Sequence, residues 1–113
     1  MKLEEILKVS EAELVSGSLD DREIIYAFSS DLMSDVLTVE ADDGILITGL
    51  TNIQAIRTAE MADISCILFV RDKEITPNMI RLAEESGILL MKTRHAMFTV
   101  CGNLFKKGLK AVY

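Results

Sequence analysis

Three short stretches of this chain hold side chains suited to chemistry, and each follows an apolar run. The first is Ser30-Asp31-Leu32-Met33-Ser34-Asp35, a Ser-Asp pair repeated four residues on. On a helix, that spacing projects each pair from one face. Two carboxylates with hydroxyls suit a hard divalent cation such as Mg²⁺. The same residues equally suit a helix N-terminus, where Ser and Asp accept from free N–H groups and acids complement the positive end. Like charges at this spacing cost only about a few tenths of a kcal/mol, so capping explains the pairs without an ion. The second stretch is Thr48-Gly49-Leu50-Thr51-Asn52, whose free N–H groups suit a phosphate or carboxylate if Gly49 lets it approach. It lacks the Gly-Lys-Ser/Thr of a Walker loop, and Thr51 as a plain N-cap is the simpler reading. The third is Thr93-Arg94-His95, in which Arg94 can grip an anion through two parallel hydrogen bonds.

Catalysis finds little support in these residues. A serine nucleophile needs a histidine and an orienting acid in contact. His95 is the one histidine, and nothing in the spacing sets it beside Ser29, Ser30 or Ser34. Cys66 and Cys101 form no Cys-x-x-Cys and read as small buried hydrophobes of a reducing, cytoplasmic protein. No metal-ligand cluster and no glycine-rich nucleotide fingerprint is present in the sequence. The expectation is a non-enzymatic protein without metal or cofactor.

The elements that must position these stretches follow from periodicity. Leu3, Ile6 and Leu7 predict a helix over 2–9, and Glu13-Leu14-Val15 a brief strand stopped by Gly17-Ser18. Residues 24–28 read as a second strand, with Ser30 or Asp31 capping a helix over 31–38. After the turn at Asp42-Asp43-Gly44, residues 45–48 form an apolar strand, followed by a helix over 52–62 with small residues Ala55, Ala59 and Ala62 inward. Residues 65–70 lack alternation and predict a strand buried on both faces. Thr76-Pro77 starts a helix that stops at Gly87, and 88–91 is the next buried strand. Thr93 then caps a last helix with Met97, Val100, Cys101, Leu104 and Phe105 on one stripe, ending near Gly108. Strand–helix alternation with short connections implies parallel strands joined by right-handed crossovers. The predicted fold is a single three-layer α/β domain over residues 1–113, with a mostly parallel sheet of about five strands and helices on both faces.

All three stretches then follow strand C-termini, the edge where parallel sheets bind ligands. Ser30, Asp31, Ser34, Asp35, Thr48, Gly49, Thr51, Asn52, Thr93, Arg94 and His95 are therefore the candidate ligand-binding residues. If their loops lie side by side, Asp31, Thr51 and Arg94 rim one shared pocket.

Composition narrows the partners. Of 113 residues, 50% are hydrophobic and only 5% aromatic, so the core is aliphatic. The apolar excess either fills that core or lines a surface between subunits. The net charge of −6 disfavours nucleic acid and anionic membranes. The one basic cluster, Lys106, Lys107 and Lys110, reads as favourable charge at a helix C-terminus. The opening residues lack the apolar core of an export signal, and no run approaches the ~20 apolar residues of a membrane span.

Residues 17–23 followed by Ala27–Leu37 resemble the small DRTGG-domain proteins of bacteria and archaea. Their pattern is an Asp-Arg dipeptide opening a strand, then Ala-x-x-Ser-Asp-Leu-x-Ser-Asp-Val, which Ser30–Val36 matches closely. Thr51-Asn52 opening a helix, a Gly-Ile-x-Leu strand at Gly87–Leu90 and a hydroxyl residue before the final helix extend the likeness over nearly the whole chain. Arg22 keeps the Asp-Arg start, whereas Glu23-Ile24-Ile25 replaces Thr-Gly-Gly, so any close backbone approach made by those glycines is lost here. Such domains occur alone or beside CBS nucleotide-sensing domains and acetyl-transfer domains, and a similar fold opens HPr kinase and the Mur ligases. The resemblance implies a regulatory or assembly module, usually dimeric, without chemistry of its own. Two functions fit: a homodimeric sensor of a small anionic ligand such as a nucleotide or phosphometabolite, or an accessory subunit docking on a larger enzyme.

Overall fold

A computed structural model describes residues 1–40 and 42–113. The elements run α1 (Leu3–Ser10), β1 (Glu13–Ser16), β2 (Tyr26–Ser29), α2 (Met33–Val36), β3 (Gly44–Thr48) and α3 (Ile53–Met61). They continue with β4 (Cys66–Phe69), α4 (Pro77–Ser86), β5 (Leu89–Lys92), α5 (Met97–Lys106) and β6 (Lys110–Ala111). Six strands form one sheet in the order β1-β5-β4-β3-β2-β6, and every neighbouring pair is parallel except β1 with β5.

The period of two along the strands divides the core into two layers. Leu46, Ile67, Phe69 and Leu90 face α2, α3 and α4, meeting Val36, Ile56 and Met79. Ile45, Ile47, Cys66, Leu68 and Met91 face the other way, against Leu3 and Ile6 of α1 and Val100 and Leu104 of α5. All four residues of β4 are buried, as a strand covered on both faces requires. The chain steps from β2 to β5 across the sheet with α2–α4 on one face. It then returns over the opposite face through α5 to β6. Reversing the direction of travel while keeping right-handed crossovers demands that change of face.

Several local expectations are corrected. Strand β2 starts at Tyr26 rather than residue 24, because the Ile24 N–H is taken by the Met1 carbonyl and its side chain plugs the core. Helix α2 spans only Met33–Val36, with Leu32 at its N-cap and no side-chain cap, since Ser30 and Asp31 make other bonds. Asn52, not Thr51, caps α3, its carboxamide oxygen accepting from the Ala55 N–H at 3.1 Å. Ala96, not Thr93, occupies the N-cap of α5. Phe105 does not join the inward stripe and stands exposed, because Met97, Val100 and Leu104 already take the sheet side of α5. The two-residue strand β6 had no counterpart in the sequence reading. Thr76 does cap α4, and Gly87 ends it at φ +69°, a conformation that favours glycine.

Candidate functional site

The loops that follow β2, β3, β4 and β5 share one edge of the sheet, because these strands are parallel. Asp31, just beyond β2, turns its carboxylate across to the next loop. Its Oδ1 accepts from the Thr48 hydroxyl at 3.0 Å and from the Gly49 N–H at 2.7 Å. Thr48 is fully buried, and its Oγ1 also accepts from the Leu50 N–H at 3.1 Å. The carbonyl of Gly49 accepts from the Thr51 hydroxyl at 3.2 Å and from the Lys73 ammonium, which reaches over from the β4–α4 loop. Asp31, Gly49 and Lys73 thus tie three successive loops together. A Cβ on Gly49 would lie 3.4 Å from both Asp31 carboxylate oxygens and 3.7 Å from the Lys73 nitrogen, ordinary contact distances within the gap between them.

Ser30 is used locally, its hydroxyl accepting from the Leu32 N–H at 3.0 Å. Because residues 30–32 precede α2, the two Ser-Asp pairs do not share a helix face. Ser34 and Asp35 sit exposed on the short helix. Among the described residues, no three His, Cys, Asp or Glu side chains converge as a metal cluster.

The third stretch goes elsewhere. Thr93 is buried and donates to the Ser10 carbonyl at 2.7 Å, pinning the end of α1 to β5. Its oxygen also accepts from the His95 N–H at 3.3 Å. Arg94 lies 3.8 Å and His95 3.3 Å from the Glu11 carboxylate, so this junction is spent on α1. Between β4 and β5 the following helices leave for opposite faces, the place where such sheets open a crevice. Here backbone bonds close it: the Arg71 N–H donates to the His95 carbonyl at 2.8 Å and the Asp72 N–H to the Thr93 carbonyl at 2.9 Å. Arg94 therefore does not join Asp31 and Thr51 in one pocket. Strands β2 and β5 stand three spacings apart, roughly 14 Å.

Sequence reasoning missed the β4–α4 loop altogether. Arg71 and Asp72 hold φ of +72° and +54°, and the pair positions Lys73 toward Gly49. The signal was present as a charged run, Arg71-Asp72-Lys73-Glu74, directly after a buried strand. At the opposite edge of the sheet, Asp20 and Arg22 form a pair at 2.7 Å, and Arg22 reaches the Ser65 hydroxyl at 3.2 Å. The Arg22 side-chain and backbone hydrogen bonds hold the Asp20 carboxyl well below its usual range, at about 2. Arg22 of the Asp-Arg dipeptide thus ties Asp20 to Ser65 at the start of β4, remote from the Gly49 rim.

A solved structure with this arrangement is the CBS and DRTGG domain region of a Clostridium perfringens pyrophosphatase, determined in complex with its activator, diadenosine tetraphosphate. The match has a TM-score of 0.73 at 15% identity and covers 91% of this chain. The fold is DRTGG-like. At that identity the likeness concerns fold alone, and this chain spans only 45% of the length of the chain it matches. That neighbour is a regulatory region rather than a catalytic domain. No protein-family model matches the chain, and no curated protein shows significant similarity to it. Among the described residues, no helix is long and apolar enough to cross a membrane.

Proposed function

We propose that this protein is a non-catalytic regulatory module whose β2–β3–β4 rim senses a small anionic ligand, a nucleotide or phosphometabolite. The observation that carries the reading is the Asp31 carboxylate on the Gly49 N–H, beside the Lys73 ammonium. A carboxylate of the chain occupies the position an anion takes at a strand-to-helix turn. An incoming phosphate exchanges for it, gaining the Gly49 N–H and Lys73 and releasing the loop after β2. Support from the neighbour is its regulatory role and its nucleotide activator. In this reading the module is a homodimer through aliphatic surface, for which the exposed Leu32, Leu37 and Met61 beside α2 and α3 are the natural contact.

A thermal-shift screen with nucleotides, sugar phosphates and pyrophosphate tests the sensing claim. A ligand at about 100 times its Kd adds roughly 2.7 kcal/mol of stability. Lys73→Ala and Gly49→Ala, both compatible with the fold, are expected to abolish the shift. A flat screen, or a shift unchanged in both variants, rejects the rim as the site. Light scattering tests the dimer: a dimeric mass that Met61→Glu halves supports it, and a monomeric mass at micromolar concentration rejects it.

A second reading, docking on a larger protein, is favoured by one separate observation. Helix α5 leaves Phe98 and Phe105, half of the chain's phenylalanines, in solvent.

A further inference from the structure

Helix α5 is apolar on two sides and covered on one. Its inner side, Met97, Val100 and Leu104, packs on the sheet with α1. Phe98, Cys101, Gly102 and Phe105 fall at i, i+3, i+4 and i+7, the spacing of a second stripe. Phe98, Gly102 and Phe105 of that stripe look outward, while Cys101 is half-buried against the core. Phe98 is 89% and Phe105 69% exposed, and a Cβ built on Gly102 would meet nothing within 4 Å beyond its chain neighbours and its own helix backbone. Between this stripe and the β2–β6 edge runs an open groove of about 320 Å³, floored by Ala27, Ile47 and Leu109 and flanked by Lys110. The two phenylalanines stand about 10 Å apart along the helix axis, two turns of a partner helix. Gly102 between them lets a partner backbone come close.

Charge selects what covers it. All 18 acidic residues lie at or before Glu85, while Lys92, Arg94, Lys106, Lys107 and Lys110 come after it. The charged residues of α5, β6 and the turn between them are three exposed lysines, Lys106, Lys107 and Lys110, and of these Lys110 lines the groove. A second copy seated with its α5 on this groove would bring these lysines toward one another.

We propose that this groove is a docking site for an acidic amphipathic helix of a partner protein, its apolar face on Phe98 and Phe105 and its carboxylates on Lys106, Lys107 and Lys110. The proposal rests on the docking reading above, independently of the Gly49 rim, and goes beyond it by assigning the partner's chemistry.

The test uses the ¹⁵N-labelled full chain and three synthetic peptides of about 18 residues, long enough to hold a helix. They share one leucine face and carry Glu, Gln or Lys on its flanks. The Glu peptide is expected to shift the amides of α5 and β6, to bind at least about tenfold tighter than the Lys peptide, and to weaken with salt. Phe98→Ser and Phe105→Ser, both at solvent-exposed positions, are expected to abolish binding without lowering Tm. Lys106→Glu/Lys107→Glu/Lys110→Glu is expected to reverse the charge preference. Gln or Lys peptides binding the groove as tightly as the Glu peptide would overturn the charge assignment while docking stands. No peptide shifting α5 would overturn both. A dimer dissociated by Phe105→Ser, or ADP moving α5 amides where the Glu peptide does not, would also overturn the proposal by giving the groove to a second copy or to a nucleotide.

Discussion

Replacing Asp31 separates a bridge from a cap. In the structure its carboxylate takes two hydrogen bonds from the next loop, one from a buried hydroxyl and one from a backbone N–H. Hydrogen bonds to a charged group contribute about 1.5–3 kcal/mol each when shielded, and less at an exposed rim where water replaces the lost acceptor. Asp31→Ala is therefore expected to cost about 2 kcal/mol, a fall in Tm of roughly 8 °C for a chain of this size. Asp31→Asn keeps an acceptor in place and is expected to lose less than half of that. Asp31→Ser discriminates most sharply, because its short hydroxyl does not span the gap to Gly49. A helix cap ranks Ser with Asp and Asn, whereas a bridge ranks it with Ala. Denaturant unfolding of Asp31→Ala, Thr48→Val and the double variant measures the contact directly. Coupling of about 1 kcal/mol is expected between the two sites, as for partners in one network. Additive losses to within about 0.3 kcal/mol, or a Ser variant as stable as the parent, would refute the bridge.

Other consequences are equally concrete. Gly102→Ala is expected to raise stability by about 0.5–1 kcal/mol, since Gly in a helix interior is costly and the space beside it is open; the same variant should weaken the Glu-flanked peptide, and a lower Tm would contradict the geometry. Burial pushes the Cys66 thiol up to about 12, so iodoacetamide on the native protein should label Cys101 alone, with Cys66 reacting only on unfolding, as read by peptide mass spectrometry. Because the Asp20 carboxyl is depressed in the folded state, its pairing with Arg22 supports folding above the ordinary value of 3.8 and loses that support as pH falls toward about 2. Carboxyl NMR titration of Asp20 is expected to give that low midpoint, and Arg22→Ala to return it toward 3.8; a midpoint indifferent to Arg22 would contradict the pairing.

The sheet was legible because its signals are local. Alternation of strands and helices, the Thr76-Pro77 start, the Gly87 stop and the unbroken apolar run of β4 each depend on neighbours in sequence. The site was less legible because it is built from distant partners. Asp31 looks like a cap from its own segment, and only folding brings Gly49, 18 residues on, to compete for it. Lys73 sits in a charged run that reads as a solvated turn until the loop's two left-handed residues aim it at Gly49. Thr93 likewise resembles a cap, yet its hydroxyl is claimed by Ser10, 83 residues away. In α5, Leu104 and Phe105 are adjacent and equally apolar, and periodicity alone does not say which faces the sheet. Strand β6 is too short for any pattern, and it forms because Leu109 anchors the chain beside β2.

The most direct measurement on the sensing rim is the Gly49 amide resonance of the full chain during titration with ADP and with pyrophosphate. Exchange of the Asp31 carboxylate for a phosphate predicts a saturable shift of Gly49 and its neighbours in the β2, β3 and β4 loops, lost in Lys73→Ala. Resonances of that rim unmoved at millimolar ligand, or moved alike in Lys73→Ala, would contradict it.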